Sequence, residues 1–139
     1  MTIKKISTKT NWEMVFGYSR AICIENHIYI SGTTSTDENG NIVGKNDIYS
    51  QTIQIFKKIQ SILQELKSDL KDIVRTRIYV VNMDNWKEVA RAHFELFNEI
   101  QPTCSILEVN RLIDPDLLIE IEVDAFIKNS YDNQSKIDF

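Results

Sequence analysis

The sequence has few of the side chains from which covalent cross-links and metal sites are built. It contains two cysteines, Cys23 and Cys104, and two histidines, His27 and His93. The cysteines form no C-x-x-C pair, and a zinc site needs three or four ligands. We therefore expect no structural metal and no cofactor. Because disulfides are rare in a reducing compartment, we expect no disulfide either.

Long apolar runs and an excess of positive charge are also missing. No segment approaches the roughly 20 apolar residues that cross a bilayer, so no membrane partner is expected. Residues 1–10 lack the apolar core of a signal peptide, which predicts a cytoplasmic location. Sixteen basic and twenty acidic residues give a net charge of −4. This balance disfavours a nucleic-acid partner, because phosphate binding needs clustered Lys and Arg.

What the sequence does have is the composition of one globular domain. Its 139 residues are 42% hydrophobic and 26% charged, which is enough for a core without cross-links. We predict a single domain over residues 1–127, followed by a polar, frayed tail over residues 128–139.

The first half of the chain predicts a hairpin and a helix. Two β-rich runs, 21–24 and 27–30, are separated by Glu25-Asn26, where Asn tolerates the positive φ of a tight turn. Asn46 or Asp47 then caps a helix whose apolar residues recur every three or four positions up to Leu66. Residues 3–7 can add a strand before the hairpin.

The second half predicts three strands and one more helix. Residues 73–81 form a strand rich in β-branched side chains. Asn85 and Glu88 have the spacing of a capping box that opens the second helix, which ends before Pro102. Strands follow over residues 104–109 and 117–127. Because two helices can cover only one face of one sheet, the predicted fold is α+β in two layers.

The alternation of the last strand indicates what covers the other face of the sheet. Its odd-numbered residues are apolar and should face the helices, whereas the opposite face carries Glu120, Glu122 and Asp124 between Leu118 and Phe126. In the neighbouring strands we assign Val74, Thr76, Ile78 and Val80 to the helix side, and to the other side Arg75, Arg77, Tyr79, Val81, Cys104 and Ile106. Charges mixed with large apolar groups are typical of a subunit interface; a sheet face open to water is the alternative.

Several motifs resemble those of the Rid (reactive intermediate deaminase) family, in order over about residues 12–127. They are Phe16-Gly17-Tyr18-Ser19-Arg20-Ala21, Ile28-Tyr29-Ile30-Ser31-Gly32-Thr33, Gln51, residues 73–80, Pro102-Thr103-Cys104-Ser105 and residues 117–125. The resemblance implies a chorismate-mutase-like α+β fold and a homotrimer with clefts between subunits. Well-known members hydrolyse reactive enamines and imines to keto acids and ammonia, which implies a small carboxylate, carbonyl or imine ligand.

The resemblance also implies site residues. Tyr18, Ser31, Gly32 and Glu120 match family positions, with Glu120 placed to position water and Tyr18 to complete the cleft. In the deaminases an Arg clamps the substrate carboxylate, but here Cys104 stands at that position, and Ala90 replaces a frequent Asn. A thiol cannot replace a bidentate guanidinium, so deaminase activity on carboxylate substrates does not follow from the resemblance.

Two interpretations are open for several of the candidate site residues. Arg77, with Arg75, can supply the missing anion-binding charge, or it can pair with Glu120, Glu122 or Asp124 to hold subunits in register. Ser31, Gly32 and Thr33 can offer N–H groups and hydroxyls to an oxyanion, or form an ordinary strand end. His93, on the apolar stripe of the second helix, favours a core or cleft-edge position over a base.

The residues and the resemblance together are compatible with two functions. The first is a hydrolase or deaminase of small reactive imines or enamines at an intersubunit cleft, with Glu120 and Tyr18 as its catalytic residues. The second is a non-catalytic trimer that binds a small ligand and has lost the chemistry. The first is slightly favoured.

Overall fold

The computed structural model describes residues 1–128 of the chain. They form, in order, β1 (Ile3–Ile6), α1 (Asn11–Phe16), β2 (Ala21–Ile24), β3 (His27–Thr34), α2 (Ile48–Glu65), β4 (Ile73–Val80), α3 (Trp86–Phe97), β5 (Thr103–Glu108) and β6 (Ile119–Phe126). The predicted frayed tail lies, apart from Lys128, outside the described residues.

The strands form one six-stranded sheet in the order β1-β2-β3-β6-β4-β5. Neighbouring strands are antiparallel except for β4 and β5, which are parallel because α3 returns the chain to the same end of the sheet. Helices α2 and α3 pack on one face, so the predicted two-layer α+β class is confirmed. No helix among residues 1–128 is both long and apolar enough to cross a membrane.

The core lies between α2 and the helix side of the sheet. Ile55, Phe56 and Ile59 of α2 are fully or almost fully buried against Ile28 of β3 and Ile121 of β6. Burying a large aliphatic or aromatic side chain stabilises the fold by about 1.5–3 kcal/mol. The alternation predicted for the last strand is therefore correct, with Glu120, Glu122 and Asp124 on the opposite face.

The start of α2 agrees with prediction, whereas the start of α3 does not. The side chain of Asp47 caps α2 by accepting a hydrogen bond from the N–H of Ser50. Asn85 makes no side-chain cap, so the predicted capping box at α3 is wrong. The physical reason is a 3₁₀ turn over Met83–Asn85, which runs directly into α3 and gives Asn85 a backbone unsuited to capping.

Two assignments of side chains to sheet faces are also wrong. The β4–β6 pairing shifts between Ile73 and Arg75, so Val74 leaves the helix side and is 42% exposed. In the parallel β4–β5 pair, Cys104 lies beside Thr76 and Ile106 beside Ile78. Cys104 and Ile106 therefore face the helix side, because a one-residue choice of register moves every side chain to the other face.

Sequence patterns missed α1 altogether. The six-residue helix is capped by Thr10 and ends at Gly17, whose φ of 75° is the left-handed conformation that glycine adopts readily. Three of its apolar side chains, Met14, Val15 and Phe16, are largely exposed. A helix this short gives no amphipathic period to read. In the hairpin between β2 and β3, the positive φ of 53° belongs to Glu25 rather than to Asn26.

Candidate functional site

A break in the pairing of β3 with β6 shapes the surroundings of Glu120. The register shifts between Ile30 and Thr33, so Ser31 and Gly32 bulge from the ladder. A Cβ atom added at Gly32 would lie 2.7 Å from Oε2 of Glu120, closer than two such atoms can approach. Any larger residue at position 32 would displace the Glu120 carboxyl group from the space that it occupies.

Glu120 is a half-buried carboxylate that no hydrogen bond or ion pair within residues 1–128 satisfies. Burial raises its pKa above the ordinary value; Arg20 opposes this rise and Glu122 reinforces it. A buried charge without a partner is costly to the fold. The arrangement fits a base that is kept free to accept a proton.

Arg20, which the sequence did not single out as a functional residue, is the cation beside Glu120. It is only 9% exposed, and its Nη2 donates to the carbonyl of Gly32 at 2.6 Å. Its Nε is buried without a partner among the described residues. The guanidinium also lies 5.7 Å from the centre of the Tyr18 ring. The one available signal was a charged residue directly before a strand that begins with a buried side chain.

Lys58 brings a second positive charge to the end of β3. Its ammonium donates to the carbonyl of Thr34 at 2.7 Å and to Oγ1 of Thr36 at 2.8 Å. Burial, and then the charge of Arg20, lower the pKa of Lys58 to about 8. Two cations thus lie near the bulge, which favours the ionised form of a nearby carboxylate.

The matched residues Tyr18 and Ser31 line an open hollow on the non-helix face. Its volume is about 540 Å³, and Glu122 and Asp124 also line it, whereas Glu120 does not. The Ser31 hydroxyl donates to the Ser19 carbonyl at 2.8 Å, and its N–H donates to the Arg20 carbonyl. Thr33 is fully buried. The donors expected from Ser31 and Thr33 are therefore used within the chain.

Arg75 and Arg77 are paired with acids of β6. Arg77 Nη1 lies 3.5 Å from Asp124 and 3.8 Å from Glu122, and Arg75 Nε lies 3.9 Å from Asp124. Neither forms an ion pair with Glu120. The Tyr79 hydroxyl donates to Glu122 at 2.6 Å, and mainly for this reason the pKa of Tyr79 is raised. These contacts are ion pairs with two of the acids named in the pairing interpretation, and they lie within one chain.

Cys104 belongs to a different hollow, between α3 and strands β4 and β5, which we call the α3–β5 pocket. Its volume is about 470 Å³. The lining is apolar except for a few groups, and consists of Ile78, Met83, Trp86, Val89, Ala90, His93, Phe94, Phe97, Asn98, Gln101, Pro102, Cys104 and Ile106. Cys104 thus lines a pocket, but not on the face of Arg77 and Glu120 where we expected it.

His93 occupies the edge of this pocket, as the sequence predicted. Its Nε2 lies 3.0 Å from Oγ1 of Thr76, and its ring packs against Phe97 with centroids 4.6 Å apart. Burial lowers the pKa of His93, which favours the neutral form of the ring. Within residues 1–128, no cluster of three or more His, Cys, Asp or Glu side chains could hold a metal ion.

The chain is similar to known proteins in both sequence and structure. A family model described as Endoribonuclease L-PSP matches residues 8–127. A RutC family protein of Pyrococcus abyssi is 36% identical over 78% of this chain and 85% of its own length. The 3-aminoacrylate deaminase RutC of Acinetobacter baylyi is 31% identical over 75% of this chain and 82% of its own. A crystal structure from Yersinia pestis, described as a protein of unknown function of the Rid family, is 33% identical, with a TM-score of 0.80 over 91% of this chain and all of that one.

Proposed function

Because this chain belongs to the Rid family, whose matching model is described as Endoribonuclease L-PSP, we propose that it hydrolyses small imine or enamine compounds to a carbonyl compound and ammonia. One observation carries the proposal: Glu120 is half-buried, has no hydrogen-bond or ion-pair partner among residues 1–128, and lies against Gly32. The relative named 3-aminoacrylate deaminase supports a reaction of this class.

In the proposed reaction the imine is protonated at nitrogen, and Glu120 accepts a proton from water while the water oxygen bonds to the imine carbon. The resulting adduct carries a hydroxyl and an amino group on that carbon. Glu120 then returns the proton to the nitrogen. The C–N bond breaks and ammonia leaves, and the hydroxyl proton passes back to Glu120 as the oxygen becomes the carbonyl oxygen. An enamine enters the same path after protonation at carbon. Tyr18 contacts the ligand through its partly exposed ring and hydroxyl.

Arg20 has a supporting part in this proposal. Its hydrogen bond fixes the Gly32 carbonyl, and Gly32 in turn faces the Glu120 carboxyl group. Its positive charge opposes the rise in the pKa of Glu120 and so favours the ionised form that a base needs. Arg20 therefore replaces Arg77 as the cation that matters at this site, since Arg77 is occupied by Glu122 and Asp124.

The complete site, in our proposal, forms where two chains of a homotrimer meet. Glu120 and the α3–β5 pocket lie on opposite faces of one sheet, so one chain does not enclose a ligand between them. Apolar side chains are exposed near both parts: Val15 and Phe16 close to Tyr18, and Trp86 and Phe94 around the pocket. Exposed apolar groups of this kind are typical of interfaces.

A non-catalytic ligand-binding trimer is the second candidate. It is favoured by Ala90 and Cys104, neither of which provides a charged group to hold a substrate carboxylate. This candidate predicts ligand binding without any acceleration of hydrolysis.

The test is ammonia release from two imines, 2-iminobutyrate generated by a dehydratase and the uncharged benzophenone imine. We expect acceleration over buffer with at least one of them, and a loss of about 10²–10⁴-fold in Glu120→Gln. Glu99→Gln, which changes an exposed acid on the same chain, is the matched control and should keep full activity. If neither imine is hydrolysed faster than in buffer, the hydrolase is contradicted and the binding function takes its place.

A further inference from the structure

We propose that the α3–β5 pocket receives an uncharged, apolar group, so that the ligand of this protein is a neutral aromatic or branched imine or carbonyl compound rather than a free carboxylate. This inference rests on the proposed function, because it names the substrate class of that site. It is carried by the chemistry of the pocket lining, which the assignment of Glu120 as a base does not use.

The pocket contains no positive charge that could receive an anion. None of its lining side chains is Lys or Arg, and its one histidine is held neutral by burial against Phe56 and Phe97. A carboxylate moved into such a lining would lose its hydration and gain no cationic partner. The thiol of Cys104 is at most a weak hydrogen-bond donor.

The size and shape of the pocket suit one ring or a branched chain. A volume of about 470 Å³ lies within the roughly 300–1,000 Å³ of pockets that hold small ligands. Trp86, 49% exposed, and Phe94, 68% exposed, contribute aromatic surface to its lining. The side-chain amides of Asn98 and Gln101 also belong to the lining and can donate to a neutral carbonyl or nitrogen. The lining thus offers apolar contact and neutral hydrogen bonds.

The position of Cys104 makes this inference testable by a single substitution. Cys104 and Ile106 form the β5 wall, on the helix side of the sheet beside Thr76 and Ile78. Since Cys104 is exposed in the single chain, a guanidinium at this position has room to reach the pocket. Cys104→Arg should therefore reverse the preference from neutral to anionic ligands.

The experiment uses the fluorescence of Trp86 as the reporter. The chain has two tryptophans, so Trp12→Phe leaves Trp86 alone, and this background carries all further changes. Benzamide and benzoate are the probes, because they share a ring and differ in charge. We expect benzamide to change the emission with an affinity at least about tenfold above that of benzoate. Cys104→Arg should increase the affinity for benzoate about tenfold or more. Cys104→Ser should keep the preference for benzamide over benzoate.

Three results would overturn the inference. The first is equal or tighter binding of benzoate to the Trp12→Phe protein. The second is binding that Cys104→Arg does not shift towards benzoate. The third is that neither probe changes the emission and that iodide quenches Trp86 only after Phe16→Asp. That result would mean that a second copy of the chain fills the pocket.

Failure of this inference is separable from failure of the proposed function. Hydrolysis of 2-iminobutyrate that depends on Glu120, without benzamide binding, would refute the neutral ligand and keep the hydrolase. Benzamide binding without any imine hydrolysis would refute the hydrolase and keep the neutral ligand.

Discussion

Two carboxylates, Glu13 and Glu120, have different hydrogen-bond surroundings and opposite pKa shifts in two regions of this chain. Glu13 is 4% exposed, and burial alone would raise its pKa. The hydroxyls of Thr8, Thr10 and Ser7 and the N–H of Thr8 donate to it, and together they lower the pKa to about 2. Within the part of the chain that the structure describes, Glu120 receives no such donors, and burial raises its pKa.

The difference separates an acid that stabilises the fold from the acid that we propose as the base. Every donor around Glu13 favours its ionised form, so the carboxylate ties the segment before α1 into one arrangement. The charge of Glu120 is opposed by burial and by Glu122, and it is favoured by the nearby charge of Arg20. A half-buried acid whose pKa is raised is a candidate for acid–base chemistry. The predictions below test this contrast.

The largest effect on stability should come from Glu13→Gln. A neutral amide cannot accept from all of the donors around it, so we expect the free energy of unfolding to fall by about 2–3 kcal/mol. Urea unfolding at pH 7 measures this change, with Glu99→Gln as a control that should differ from the parent by less than about 0.5 kcal/mol. A loss as small as that of the control would mean that the Glu13 network contributes little.

Gly32→Ala should weaken activity more than stability. The added methyl group meets the end of the Glu120 side chain at 2.7 Å, and that flexible end can move away. We therefore expect imine hydrolysis to fall about tenfold or more, because a base displaced by a fraction of an ångström transfers protons poorly. The double variant Gly32→Ala, Glu120→Gln should be no slower than Glu120→Gln alone. Additive losses would show that Gly32 acts independently of Glu120.

A smaller effect is expected in the pH dependence of stability, with opposite signs at the two acids. The pKa of Glu13 is lowered in the folded chain, so its stabilisation is present above the ordinary pKa of 4.5 and is lost as pH falls towards about 2. The pKa of Glu120 is raised in the folded chain. Ionisation of Glu120 therefore lowers the free energy of unfolding as pH rises from the ordinary pKa of 4.5 towards the raised pKa.

Comparison of the two glutamine variants with the parent from pH 3 to 8 measures these signs. Glu120→Gln should be equal or more stable at pH 7, by less than about 1 kcal/mol, and this advantage should vanish below pH 4.5. The deficit of Glu13→Gln should persist to lower pH. A Glu120→Gln variant that is less stable at pH 7 would indicate an unrecognised partner of Glu120.

The sheet and its helix-facing core could be predicted from sequence because they depend on periodicity. The odd-numbered residues of β6 are apolar without exception, and α2 shows its buried stripe together with its Asp47 cap. The cap of α1 escaped notice although Thr10 and Glu13 have capping-box spacing. The same spacing at Asn85 and Glu88 was misleading, because a 3₁₀ turn precedes α3. The capping-box spacing alone does not show which of two matching segments forms a cap.

The candidate site was predictable only in part, for a reason of register. Glu120 and Gly32 could be named, but their contact depends on a bulge between Ile30 and Thr33 that no pattern marks. Cys104 was assigned to the wrong face because the parallel pairing of β5 was not foreseen. Arg20 was missed because its burial and its bond to the Gly32 carbonyl are tertiary facts.

The most direct test of the contrast is a carbon-13 NMR titration of the side-chain carboxyl groups, with the two signals assigned from Glu13→Gln and Glu120→Gln. The account predicts that Glu13 titrates near pH 2 and that Glu120 titrates above its ordinary 4.5. It further predicts that Arg20→Met moves the Glu120 midpoint upward, while Arg77→Met leaves it in place. Both acids titrating at ordinary values, or Glu120 titrating below Glu13, would contradict the account.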